Sequence, residues 1–209
     1  MSLADKISNF NRARKYNYFL EMLKPLPTDS LLDVGFNDVE HSEFDNYLEQ
    51  FYPYQSQITA LGIIGNDHFS KKYPKVKVVL YDGKIFPFAD KSFDIGWSNA
   101  VIEHVGDRDA QLLFLKEMLR TCKRLYFTTP NRYFPIELHT RIPLLHWLPK
   151  PVFYSILKIT SKKWAAGDYM NLLSICQIKS LLKRADVTNY VIKKNRFCGF
   201  VMDYCVIIQ

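Results

Sequence analysis

Apolar and polar positions divide the chain into short segments that alternate between two periods. Residues 4–24 predict a helix with Phe10, Tyr18, Phe19 and Leu20 on its apolar side. Pro25 and Pro27 end it, because proline has no amide proton to continue the ladder. Short apolar runs then recur at 30–35 (SLLDVG), 57–64, 76–81, 93–98 and 123–128, and each reads as a strand. Helical segments fall between them at 43–51, 67–73 and 108–121. The last is the clearest, with Leu112, Leu115 and Leu119 at helical spacing and Asp107 placed as N-cap. Residues 130–170 are rich in proline and aromatics and interrupt the alternation. An amphipathic helix over 172–184 follows, then strands at 187–194 and 200–208 joined by a turn at 195–199.

Short apolar strands alternating with helices are the pattern of a parallel sheet covered on both faces. The expected fold is α/β: Rossmann-like and doubly wound, with a mostly parallel seven-stranded sheet, helices on both faces and an antiparallel C-terminal strand. No repeat or linker interrupts it, so residues 1–209 read as one domain, with 130–170 as an inserted acceptor-site or lid segment. Ligands of such sheets bind beyond the carboxyl ends of the strands. Chemistry is therefore sought at 35–40, 62–67, 82–88, 98–104 and 129–139.

Composition narrows the class. The 209 residues are 48% hydrophobic and 15% aromatic, which excludes a disordered chain. The net charge of +7 comes with lysines grouped at 71, 72, 75 and 77, at 162 and 163, and at 193 and 194 beside Arg196. None forms a long run, so they read as solvated ends of elements, and nucleic acid is not the expected partner. The four cysteines have no C-x-x-C spacing, which gives no support to a metal site and reads as buried thiols in a reducing compartment. Residues 1–18 lack the apolar core of a secretory leader, and a cytoplasmic location is expected. The most apolar stretch, 142–159, is broken by Pro143, Pro149 and Pro151, too often for a transmembrane helix. Flanked by Lys158, Lys162 and Lys163, residues 142–163 admit two readings: peripheral membrane contact, or a lid or core-packed helix starting at Pro151.

Two segments carry chemistry. In LLDVGFNDVE, Asp33 and Gly35 end the first strand, where glycine permits a sharp turn and a carboxylate can bind an amine or orient the loop. No G-x-G-x-x-G fingerprint follows. The second segment runs from Asp82 to Val105: an Asp-Gly at a strand end, Pro87-Phe88, Ser92-Phe93-Asp94 opening a strand, then Ser98 and Ile102-Glu103-His104-Val105. It resembles the class I S-adenosylmethionine-dependent methyltransferases, in the branch with a D-G…PF…SFD…EHV segment. The later stretch from Thr128 to Pro149 is similar to a subset of bacterial methyltransferase-domain proteins.

The resemblance implies S-adenosylmethionine as cofactor. It places Asp33, Gly35 and Asn37 in the loop under the methionine part and Asp82 on the adenine amine, with Gly83 beside it. Gly62 falls at the second strand end, and Ser98, Asn99 and Ala100 line the methyl-donor cleft. The sequence departs from the family twice. The first loop has one glycine where the family has two or three, and the acid that grips the ribose is missing, leaving Asn66 or Asp67 for that task. These departures keep open a second class of function, a non-catalytic methyltransferase-fold scaffold or partner subunit. His104 reads as a general base or as a structural histidine, His139 as a base or a loop hydrogen-bonder, and Glu103 as a backbone cap. Asn131 and Arg132 read as contacts to an acceptor carboxylate or phosphate, or as surface pairs. No Asn-Pro-Pro-Tyr motif follows the fourth strand, where Ser-Asn-Ala-Val stands. That argues against base or glutamine methylation and for a small-molecule, glycan or lipid-linked acceptor.

Overall fold

The computed structural model describes every residue except 1–2, 41, 66, 137–141, 161–162 and 164–169. The chain forms two compact units. The first comprises Met1–Asn99, Glu117–Phe127 and Ile207–Gln209; the second comprises Ala100–Lys116 and Thr128–Val206. One seven-stranded sheet runs in the order β3-β2-β1-β4-β5-β7-β6, mostly parallel with antiparallel C-terminal strands. The expected Rossmann-like fold is observed.

In the first unit β1 (Leu31–Val34) pairs in parallel with β2 (Ile58–Gly62) and β4 (Phe93–Asn99), and β2 pairs with β3 (Lys77–Leu80). All four residues of β1 are buried, as a strand with neighbours on both sides requires. The edge strand β3 is only half-covered. Helix α1 (Leu3–Leu23) docks through Phe19, whose ring meets Trp97 edge-on at 4.9 Å and Tyr126 at 5.5 Å. Trp97 and Tyr126 stack at 5.0 Å, and the Tyr126 hydroxyl donates to the Lys15 carbonyl at 2.8 Å. Phe10, expected on the apolar side, is exposed instead, with Arg14 over its ring. Helix α2 is confined to Tyr47–Phe51, shorter than its sequence signal. Ser42 and Asp45 bond each other and Arg12, and polar side chains that bond locally compete with a helical start. Helix α3 (Asp67–Lys72) buries Phe69.

Helix α4 (Arg108–Thr121) has the expected bounds, and Asp107 caps it by accepting from the amides of Asp109 and Ala110. Its buried stripe is Gln111, Phe114, Leu115 and Met118. Leu112 and Leu119 lie at the stripe's margin, which corrects the expected apolar face. Strand β5 (Cys122–Pro130) follows without a loop.

In the second unit α5 (Lys150–Lys158) starts with proline in its first turn and packs Phe153 and Leu157 against Ile142, Leu145 and Tyr154. Helix α6 (Ile175–Arg184) opens with a capping box between Ser174 and Gln177. Strands β6 (Tyr190–Phe197) and β7 (Phe200–Ile208) are joined by Cys198 and Gly199, at φ 48° and 83°. A two-residue turn with both φ positive matches strand twist, so the turn is tighter than the five residues expected. Two of the four thiols, Cys176 and Cys198, are exposed, against the expectation that all are buried. No described helix is long and apolar enough to cross a membrane.

Candidate cofactor edge and acceptor cavity

The parallel register brings the carboxyl ends of four strands of the first unit side by side. The Gly35 amide donates to Leu61 at 2.9 Å, the Tyr81 amide to Gly62 at 3.0 Å, and the Ser98 hydroxyl to Val34 at 3.1 Å. Gly35, Gly62, Asp82 and Ser98 with Asn99 therefore stand along one edge, where open α/β sheets bind ligands. Ala100 and His104 belong to the second unit. His139 and Asn66 lie outside the described residues.

The one-glycine loop is built differently from a glycine-rich one. Gly35 sits at φ 101°, which only glycine takes without strain. Phe36 then turns inward onto Gly62, where an added Cβ would stand 2.5 Å from the ring, and onto Phe69 at 4.4 Å. Asn37 donates its amide to the Asn46 side chain and accepts from it, both at 2.8 Å. The Asp38 carboxylate takes the amides of His68 and Phe69 at 2.9 and 3.0 Å, capping α3. Side-chain bonds thus fix the loop where the family uses glycines. Glu40, bonded to Lys72 and Tyr73, ties the end of the loop to α3.

Asp33 is buried and faces Glu49, which is 0% exposed. The sequence did not single out Glu49, because a lone Glu in a polar-looking segment carries no periodic signal. Burial raises the Asp33 pKa to about 6, with the neighbouring Glu49 carboxyl opposing the rise. Burial, and then the Asp33 charge, raise Glu49 well above the ordinary carboxyl value. Two carboxyls out of water cannot both ionise at low cost, so this pair retains a proton.

Where the resemblance would set adenine, exposed Asp82 accepts from the amides of Lys84 and Ile85 at 2.9 and 3.3 Å. Those bonds hold its pKa below the ordinary value, so it is ionised. Gly83 turns at φ 83°, with Ile63 3.6 Å from where its Cβ would lie. Ile63 and Ile64 are 62% and 77% exposed. An ionised carboxylate among exposed isoleucines suits a purine amine and ring. After β2, Ile63 and Ile64 stand where the resemblance would set the ribose acid, and Asp67 is exposed as the first residue of α3. The chain's groups fit S-adenosylmethionine at its adenine and loop contacts and lack the ribose acid.

In the second unit Ala100 sits at φ 59° and donates its amide to Thr128 at 3.0 Å. Fully buried Glu103 accepts from the Thr129 hydroxyl at 3.0 Å, and its carbonyl accepts from the Asn171 amide at 2.7 Å. Gln111 donates to the carbonyls of Ile102 and Asn171 at 3.0 and 2.9 Å. Glu103 is therefore a tie in the packing, and half-buried His104 follows it in a turn closed on Val101. Asn131 bonds Val201 and Tyr204 at 2.8 and 3.1 Å, which makes it structural and not an acceptor contact. Arg132 reaches a cavity of about 300 Å³ shared with Asp107, Arg108, His146, Phe153 and Tyr154. The sequence did not single out Arg108, which looked like an ordinary first residue of an exposed helix.

A family described as a methyltransferase domain matches residues 33–125, from β1 into β5. No curated protein shows a significant match. A SAM-dependent methyltransferase from Methanosarcina mazei is 16% identical, with a TM-score of 0.57 over 88% of this chain and 92% of that one. One from Aquifex aeolicus is 15% identical, with a TM-score of 0.54 over 92% and 87%. The N-terminal domain of EvdMO1, solved with SAH bound, is 14% identical, with a TM-score of 0.56 over 95% and 80%. The matched segment covers less than half of the chain, and over most of its length the chain is similar in fold to these SAM-dependent methyltransferases.

Proposed function

We propose that this chain transfers a methyl group from S-adenosylmethionine to a small-molecule, glycan or lipid-linked acceptor. The observation that carries the reading is the carboxyl edge of the sheet, where Gly35, ionised Asp82 and Ser98 with Asn99 stand together. When bound, the cofactor supplies an electrophilic methyl on a sulfonium. Asp82 accepts the adenine amine, the Gly35–Asn37 backbone approaches the methionine part, and Ser98 and Asn99 border the donor. Ala100, Gly62, Gly83 and Asp67 are the remaining contacts of this reading. The protein's main task is then to hold the acceptor in line and exclude water. For a hydroxyl acceptor His104 and His139 are the candidate bases. Cytoplasm is the compartment of this reading, supported by four free cysteines.

Calorimetry with S-adenosylmethionine and S-adenosylhomocysteine tests it on wild type and Asp82→Ala. Wild type should bind both, and Asp82→Ala about tenfold or more weakly, the scale of one charge-assisted hydrogen bond. Folded wild type that binds neither would overturn the enzyme reading and leave the scaffold or partner-subunit alternative, which the missing ribose acid favours. A peripheral membrane contact rests on a separate observation: Trp147, Val152 and Ile159 are exposed near Lys158, Ile159 to 86%. Sedimentation with anionic liposomes should carry the protein down at low salt and lose it with Ile159→Asp. Equal sedimentation of both proteins would discard that contact.

A further inference from the structure

The cavity in the second unit has a charge arrangement that packing does not require. Arg108 opens α4 and Arg132 follows β5, and both are half-buried at the same 300 Å³ space. Two half-buried guanidiniums lining one cavity repel each other, and burial with the Arg132 charge holds Arg108 below its ordinary pKa. Arg108 is steadied by Gln111 at 2.7 Å and the Leu172 carbonyl at 3.5 Å, neither of them anionic. Among the described residues, none pairs with the Arg132 side chain by a hydrogen bond or ion pair. Among the described residues the one carboxylate lining the cavity, Asp107, is exposed and already occupied in capping α4. The first amides of α4 are satisfied by that cap, so the positive character belongs to the two side chains. Phe153, Tyr154, Met170 and Leu148 give the wall an apolar and aromatic part, beside the polar His146 and Asn171.

We propose that this cavity binds an oxyanion, carboxylate or phosphate, through Arg108 and Arg132, with the apolar part of the same molecule against Phe153 and Met170. The inference rests on the methyl-transfer reading in that it names the acceptor's class: a small amphiphilic anion and not a neutral metabolite. Paired arginines suit it physically, because planar guanidiniums offer parallel donors to two oxygens of one anion and are weakly hydrated. A volume of about 300 Å³ is at the small-molecule end of ligand sites.

The test is calorimetry with phenyl phosphate, benzoate and benzyl alcohol, with and without S-adenosylhomocysteine. The proteins are wild type, Arg132→Ala, Arg132→Gln and, as a charge control on exposed α4 surface, Lys116→Ala. Wild type should bind at least one of the two anions, and better than benzyl alcohol. Both Arg132 variants should lose about tenfold or more in anion affinity, and Lys116→Ala nothing. The stronger anion identifies the head group as phosphate or carboxylate. Failure of wild type to bind either anion, equal binding of benzyl alcohol, or undiminished binding by the Arg132 variants would overturn the proposal. Loss with Lys116→Ala as large as with Arg132→Ala would reduce it to the general attraction of a +7 chain. S-adenosylhomocysteine binding measured on the same samples separates the two readings. Anion binding without it defeats methyl transfer alone, and its binding without an anion defeats the cavity assignment alone.

Discussion

Asp33 and Glu49 show how one buried contact sets a solution property. Both acids have pKa values above their ordinary 3.8 and 4.5, Asp33 at about 6. The native state thus holds protons that the unfolded chain has released, and stability falls as pH rises from about 4 through 6. Near the pair lie Glu40, itself held by Lys72 and Tyr73, and the Tyr73 hydroxyl. Glu49→Gln keeps the shape, donates to an ionised Asp33 and removes the forced protonation. Its melting temperature should exceed wild type at pH 8 by roughly 2–4 °C, the shift of about 1 kcal/mol in a chain of this size, and match it at pH 4. Coincident melting curves at pH 8 would show that the pair carries no such cost.

Among the elements, α4 and α6 show how capping and a buried amide position the second unit's loops. Gln111 is fully buried and holds the carbonyls of Ile102 and Asn171. Gln111→Leu strands two buried acceptors and should cost roughly 2–4 kcal/mol by urea unfolding, since each orphaned group costs about 1–3 kcal/mol. A loss under 1 kcal/mol would mean that water replaces the amide. Ser174→Ala breaks only the capping box of α6 and should cost about 1 kcal/mol. The sequence disclosed α4 nearly residue by residue, because its cap and its period agree. It overestimated α2, because the bonds of Ser42 and Asp45 to Arg12 are made with a partner some thirty residues away and leave no periodic trace.

For the whole molecule, two strands bear on how the units unfold. Strand β5 contributes Cys122–Phe127 to the first unit and the rest to the second, and β7 passes from the second into the first at Ile207. The units thus share two strands along the chain, and we propose that residues 1–209 unfold as one cooperative domain. Scanning calorimetry should show a single transition whose calorimetric and van't Hoff enthalpies agree; two resolved peaks would contradict this.

The sequence by itself determined the seven-strand order of elements, the strand ends that carry Gly35, Asp82 and Ser98, and the segment that resembles the methyltransferases. These are local matters: period, punctuation and spacing along the chain. The tertiary structure alone decided that Glu49 faces Asp33, that Asn37 and Asp38 hold the first loop in place of glycines, and that Asn131 is a packing tie. It alone brought Arg108, twenty-four positions before Arg132, to the same cavity. Such pairings depend on register and burial between residues far apart in sequence. A hydrophobic pattern fixes which face a residue shares, not which distant side chain it meets.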